Sequence, residues 1–305
     1  MMSTKNAGSR RLVGAITATA ALFGTVAVAL MVLPASPAKA QSTLEQAREE
    51  GYIRVGFANE APFGFATTAG DLTGEAPEVA KAVLDKMGIS EVDGVLTEFG
   101  SLIPGLNAGR FDVIAAGMFI TPKRCEQIDF SEPTYKLAQA FLVPEGNPKN
   151  LQTYEDIAAN PELMLAVLTG AVEKGYAEQA GVEEAQLVTL PDPPSMLAAV
   201  QAGRADAAAL TTLSISNLAE KGEGVEMTEP ITEAGGESVV GYGAFGFRED
   251  DDALREAFNE QLKGFIGSEE HKKLVSAFGF GRDYMIPDKT TEEICGAAYD
   301  APQEG

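Results

Sequence analysis

The sequence predicts an α/β protein of two similar lobes joined by a hinge of two crossing strands, on three observations. Short β-branched runs alternate with helical patterns, one unit of sequence occurs twice, and two extended segments lie where the chain would pass between lobes.

YIRVGF (52–57) reads as a strand, PEVAKAVLDKMG (77–88) as an amphipathic helix stopping at Gly88, and DVIAAGM (112–118) as a buried strand. Farther on, LMLAVLTG (163–170), AQLVTL (185–190) and DAAAL (206–210) read as strands separated by helical VEKGYAEQAG and PSMLAAVQAG. Alternation of this kind argues for α/β layers with mostly parallel sheets.

The repeated unit is SLIPGLNAGRFDVIAA from Ser101 and SMLAAVQAGRADAAAL from Ser195, which align without a gap. In both, a helix with one apolar face stops at a glycine, Gly109 or Gly203, placed for the left-handed conformation that closes a helix. AQAFLVPEG (138–146) and SVVGYGAFGFR (238–248) are the extended segments, so the first lobe is expected from residues 41–145 and 240–305 and the second from 146–239. The stretch 250–280, opening on three aspartates, carries a helical apolar stripe and is expected to pack back on the first lobe as a helix pair. Two lobes joined by paired strands make a hinge.

Residues 1–40 read as a signal peptide. Lys5, Arg10 and Arg11 precede a long apolar run, and Pro34, small residues and the AKAQ sequence follow, predicting cleavage after Ala40 and export to the periplasm. An uncleaved anchor is the alternative, because the apolar run is long enough to span a bilayer. Ser9, Arg10 and Arg11 also resemble a twin-arginine signal, although Val13 follows where phenylalanine is usual. Losing this segment removes four basic residues and no acidic one, taking the net charge from −22 to −26. So acidic a surface repels phosphate backbones and anionic lipids, which argues against nucleic acid as a partner.

Cys125 and Cys295 are the only thiols of the 305 residues. In an oxidising compartment they are expected to form one disulfide tying the C-terminal tail to the body; two buried free thiols are the alternative. His271, the single histidine, lies among charges in SEEHKKL and is expected to be exposed. Catalytic triads and histidine-rich metal sites are therefore unsupported.

GMFITPKRCEQIDFSEP (117–133), with LIPGLNAGRFDV before it and GRADAAAL after it, resembles the polar amino-acid type of solute-binding proteins of ABC transporters over nearly the whole mature chain. The resemblance implies a two-lobed, type II periplasmic-binding-protein fold that closes on a small ligand and delivers it to a membrane permease. It implies a monomeric carrier rather than an enzyme, with no cofactor and no metal. In that family the arginine of the T-P-x-R segment grips the ligand's α-carboxylate, which gives Arg124 that role. A guanidinium offers a planar donor fork for both carboxylate oxygens. Local pairing of Arg124 with Glu126 or Asp129 is the alternative.

The departures from the family pattern matter. Relatives that bind ordinary amino acids usually have serine or threonine in place of Phe119, and aspartate in place of Thr211, where it takes the α-ammonium. A site keeping the carboxylate clamp without that aspartate should prefer a ligand lacking a primary amine. Phe63, Phe99 and Phe119 fall in loops after strands, and such rings bind delocalised cations at roughly 0.5–2 kcal/mol each when water is excluded. Glu60 would hydrogen-bond to N–H groups of a cationic ring, unless it is a solvated turn residue; each phenylalanine taken alone would read as core.

A carboxylate on a cyclic amidinium describes ectoine and hydroxyectoine, and the sequence looks like the ectoine/hydroxyectoine-binding proteins. By that resemblance Phe63, Phe99 and Phe119 form the cage, and Glu60 and Arg124 make the polar contacts. Gly117 joins the site, Gly170 to Val172 supply a backbone N–H from the second lobe, and Val172 and the Thr211 region close over the ligand. Other readings are a binding protein for glutamine or a betaine, and an exported dehydratase on the same fold, for which Glu60 would be the proton donor.

Overall fold

In the computed structural model, which describes residues 41–281 and 286–296, the apolar runs become the strands of two sheets. The expected signal segment lies outside the described residues. Among those described, no helix is long and apolar enough to cross a membrane.

The chain begins α1 (Thr43–Glu50), β1 (Tyr52–Phe57), a ribbon of β2 (Phe65–Ala66) and β3 (Leu72–Thr73), α2 (Glu75–Lys86) and β4 (Glu91–Leu96). A 3-10 turn at Phe99–Ser101 leads to α3 (Leu102–Asn107), β5 (Val113–Phe119), α4 (Pro122–Cys125), β6 (Asp129–Phe130) and β7 (Tyr135–Leu137). Then come β8 (Gln139–Pro144), α5 (Tyr154–Ala158), β9 (Leu165–Leu168), α6 (Glu173–Gln179), β10 (Leu187–Leu190), α7 (Pro193–Gln201), β11 (Ala207–Thr211), α8 (Thr212–Lys221) and β12 (Val225–Met227). A second ribbon of β13 (Glu233–Ala234) and β14 (Glu237–Ser238) precedes β15 (Gly241–Phe247), α9 (Asp252–Phe265), α10 (Glu269–Ser276) and α11 (Thr291–Cys295).

The first sheet has the order β4-β1-β5-β15-β6, with β7 also on β15; the second has the order β10-β9-β11-β8-β12. β1 runs parallel to β4 and β5, and β9 runs parallel to β10 and β11. Each parallel trio is then bordered by an antiparallel strand, β15 against β5 and β8 against β11. The repeated unit therefore has a structural meaning: its copies are α3–β5 and α7–β11, at equivalent places in the two sheets. Gly109 and Gly203 both sit at φ +67°, beyond the helix end, as the repeat predicts.

Local rules account for the helices. In α2, Ala76, Val79, Ala80, Val83 and Leu84 are buried, one continuous face at helical spacing. In α9 the buried face is Leu254, Phe258, Leu262 and Phe265, and Phe258 packs its ring 4.8 Å from Phe245 and 5.4 Å from Phe247 of β15. The C-terminal helix pair thus covers the strand that closes the first sheet.

One expectation fails here. His271 is 1% exposed: its Nδ1 accepts the Gly267 N–H at 3.2 Å, its ring lies 5.4 Å from Phe265, and burial pushes its pKa down to about 4. The charged neighbours point outward along α10 while His271 occupies the inner face, a distinction that composition around a residue does not make.

Truncating the aromatic keystone tests this packing. Phe258→Ala should lower stability by about 3–5 kcal/mol, read as a lower urea midpoint at unchanged m.

Candidate ligand-binding site

In α/β sheets, ligand sites gather beyond the C-terminal ends of parallel strands. Here β1 leads to Glu60 and Phe63, β4 to Phe99, β5 to Phe119 and Arg124, β9 to Gly170–Glu173, and β11 ends at Thr211. These ends from two sheets line one pocket. All eight expected residues, Glu60, Phe63, Phe99, Gly117, Phe119, Arg124, Val172 and Thr211, are on its wall, together with Leu168, Ala171, Glu173 and Leu210.

The segment T-P-K-R explains how Arg124 is presented. Thr121 caps α4 with its hydroxyl, accepting the Arg124 N–H at 3.3 Å, and Pro122 takes the first helical position, where its missing N–H costs nothing. The guanidinium is not paired with Glu126 or Asp129. It donates to the carbonyl oxygen of Phe119 at 2.6 Å and, across the cleft, to that of Gly170 at 3.0 Å, with its Cζ 5.6 Å from the Phe99 ring centre. Burial lowers its pKa to about 10, so it stays charged at neutral pH.

Phe119 is the last residue of β5 rather than a loop residue, and Phe63 and Phe99 follow their strands as expected. Phe63 is at once a core side chain and part of the pocket wall. It is 1% exposed, 5.7 Å from Tyr135 and 5.8 Å from Phe280, yet it also borders the pocket. Tyr135 stands behind Phe119 as well, at 6.4 Å, so both rings rest on a second aromatic layer. Gly117 has φ +68°, and a Cβ there would fall 2.4 Å from the Phe63 ring. The left-handed turn and the ring's seat both require glycine.

Glu60 is no solvated turn residue. The backbone hydrogen bonds between Glu60 and Gly64 close a tight turn that buries its side chain, and its Oε1 accepts the Ser214 hydroxyl of α8 at 2.6 Å. Burial pushes its pKa up to about 7, against the opposing effect of Ser214. Thr211 also serves its own helix, because its hydroxyl accepts the Ser214 N–H at 3.3 Å and caps α8. At Gly170–Val172 the Gly170 carbonyl serves Arg124, while the Ala171 N–H donates to the Leu168 carbonyl.

Two polar residues were not expected. Glu173 opens α6, is 2% exposed, and its Oε2 has no hydrogen-bond partner among the described residues. Burial raises its pKa to about 8, with Glu60 adding to the rise and Arg124 opposing it. In the sequence it reads as an acid in a helix's first turn, a common electrostatic preference, so nothing marked it as a pocket residue. Ser214 lies three residues past Thr211, and its reach to Glu60 exists only once the sheets face each other.

The cleft is closed. Gly170 and Gly100 approach so closely that a Cβ on Gly170 would lie 2.5 Å from the Gly100 Cα. The cavity in the cleft has a volume of about 20 Å³, against about 310 Å³ for a recess beside α8 and about 560 Å³ for one along α9. Those roomier recesses are lined mainly by half-buried and exposed residues, so buried charge rather than volume marks the candidate site.

Comparison with known proteins agrees with this architecture. A probable amino-acid ABC transporter periplasmic-binding protein of Sinorhizobium fredii is 37% identical over 279 residues, spanning 90% of this chain and 92% of that protein. The crystal structure of EhuB in complex with hydroxyectoine is similar with a TM-score of 0.77 at 36% identity, over 84% of this chain and 98% of that one. That of an ancestral amino acid-binding protein, a precursor of cyclohexadienyl dehydratase, has a TM-score of 0.67 at 27% identity, over 78% of this chain and 99% of that one. The profile of the bacterial extracellular solute-binding proteins, family 3, matches residues 53–281, and this chain, with its two-lobed α/β fold, belongs to that family.

Proposed function

We propose that this protein captures ectoine or hydroxyectoine by hinge closure and delivers it to the permease of an ABC importer. The carrying observation is one closed pocket in which a buried guanidinium faces two buried carboxylates and three phenylalanine rings. Arg124 takes the ligand's carboxylate in exchange for a backbone carbonyl. The rings cover the faces of the cyclic amidinium, and Glu60 and Glu173 accept from its N–H groups. Ligand contacts made only in the closed form favour that form. The hydroxyectoine complex of the similar EhuB supports the same ligand class.

The protein we envisage is exported by residues 1–40 with cleavage after Ala40, acts as a periplasmic monomer, closes residues 146–239 against the remainder, and carries a Cys125–Cys295 disulfide. A carrier role leaves the ligand chemically unchanged, in contrast to a dehydratase.

Glu173 favours a second reading, a polar amino acid. It restores a carboxylate to the site, so threonine at 211 no longer deprives a primary ammonium of its partner. Titration calorimetry of refolded mature protein separates the readings. Ectoine is expected to bind, with glycine betaine and glutamine silent; binding of glutamine alone would overturn the proposal. Phe119→Ala should weaken ectoine binding about five- to thirty-fold, the loss of one ring's roughly 1–2 kcal/mol, without unfolding the protein.

Protonation gives an independent check. Glu60 and Glu173 have folded-state pKa values raised to about 7 and about 8, above the ordinary carboxyl value near 4.3. Protonation therefore favours the unliganded fold at low pH, and this contribution is lost as pH rises through about 5 to 8. A cationic ligand needs the ionised carboxylates, so its affinity should rise from pH 6 to pH 8 with proton release. Calorimetry in buffers of different ionisation enthalpy would show this, and Glu60→Gln/Glu173→Gln should flatten the rise.

A further inference from the structure

The family profile ends at residue 281, yet the segment beyond it touches both the hinge and the clamp. The chain passes between sheets at Ala138, between β7 and β8, and again at residues 239–240 before β15. Gln139 ties the two crossings by donating to the Val239 carbonyl at 3.2 Å. On the first-sheet side of both, Lys136 of β7 and Tyr242 of β15 are cross-strand partners. Asp288 bonds to each: Lys136 Nζ donates at 2.8 Å and the Tyr242 hydroxyl at 2.6 Å.

The same segment then reaches the helix of the clamp. The Thr291 hydroxyl donates to the Ser131 carbonyl at 2.6 Å, and the Thr291 N–H donates to the Glu132 carboxylate at 3.2 Å. At the end of α11, the Cys295 Sγ lies at disulfide distance from that of Cys125, the residue after Arg124. One stretch of chain is thus fastened to both hinge strands, to the turn after β6, and to α4.

We propose that residues 286–296 are a brace holding Arg124 in register with the hinge, with Asp288 and the Cys125–Cys295 bridge as positioning groups for ligand capture. α4 is four residues long, and a helix of one turn has no cooperative stability of its own. A clamp whose donor fork must meet two oxygens needs external support at sub-ångström tolerance. The Lys136–Asp288 pair is partly exposed and weak alone, so the covalent link and the buried Thr291 bond carry most of the fastening. Asp288 adds the connection to the hinge. Hydrogen bonds from Lys136 and Tyr242 hold its carboxyl down to about 2, so Asp288 is ionised at neutral pH.

The role in capture rests on reading Arg124 as the carboxylate clamp, and the test keeps the two apart. Cys125→Ser/Cys295→Ser and Asp288→Ala are compared with wild type by calorimetry with ectoine and by hydrogen exchange without ligand. We expect about ten-fold weaker binding for the double variant and about three-fold for Asp288→Ala, the scale of a slightly displaced clamp. We also expect faster exchange at the amides of Arg124, Cys125 and Ile128, with β9 unchanged. Loss of a merely stabilising crosslink would lower the unfolding midpoint and leave both readouts alone, which would overturn the brace. Faster exchange with wild-type affinity would overturn the role in capture. Failure of wild type to bind ectoine would overturn the ligand assignment, and the exchange data would still decide the brace. If the double variant does not fold, Asp288→Ala decides on the same readouts.

Discussion

Keeping one guanidinium charged between two lobes is the constraint on which the rest depends. An unpaired charge in a closed cleft is costly, so the protein surrounds Arg124 with the carbonyl oxygens of Phe119 and Gly170, the face of Phe99 and the carboxyl of Glu173. The Gly170 carbonyl belongs to the opposite lobe, and its approach depends on glycines at 100 and 170 that let the two backbones nearly touch. Closure and charge compensation are therefore one event: separating the lobes removes an acceptor from Arg124 and returns it to water.

The carboxylates answer the same constraint from the other side. Glu60 and Glu173 both lie in the cleft with raised pKa values, because burial penalises the charged form more than the Ser214 hydroxyl offsets it at Glu60 or the Arg124 guanidinium at Glu173. The zwitterion proposed above has an anion to offer Arg124 and a cation to offer the acids. The aromatic layer gives the pocket a fixed wall, since Phe63 and Phe119 are backed by Tyr135.

The scaffold supplies this arrangement through near-symmetry. Each sheet aims the C-terminal ends of its parallel strands at the cleft and borders them with an antiparallel strand, β15 or β8, adjoining one of the two crossings. The chain passes between the sheets at two short crossings tied by Gln139 and flanked by Asp288.

Much of this was legible in the sequence. Period and punctuation located the strands, the helix pair and the repeated α–β unit, because these follow from local burial patterns and from glycines that close helices. The T-P-K-R segment likewise marked Arg124, since its cap and first-turn proline are local devices. His271, Ser214 and Glu173 were not legible. A buried histidine and an exposed one share the same charged neighbours in sequence, the Ser214–Glu60 bond joins residues 154 apart, and Glu173 looks like any acid at a helix start. The sequence by itself determined which elements form and which residue types stand at strand ends. Only the tertiary structure decided which of those ends meet, because burial, and with it protonation and pairing across the cleft, arises when two lobes exclude water from the space between them.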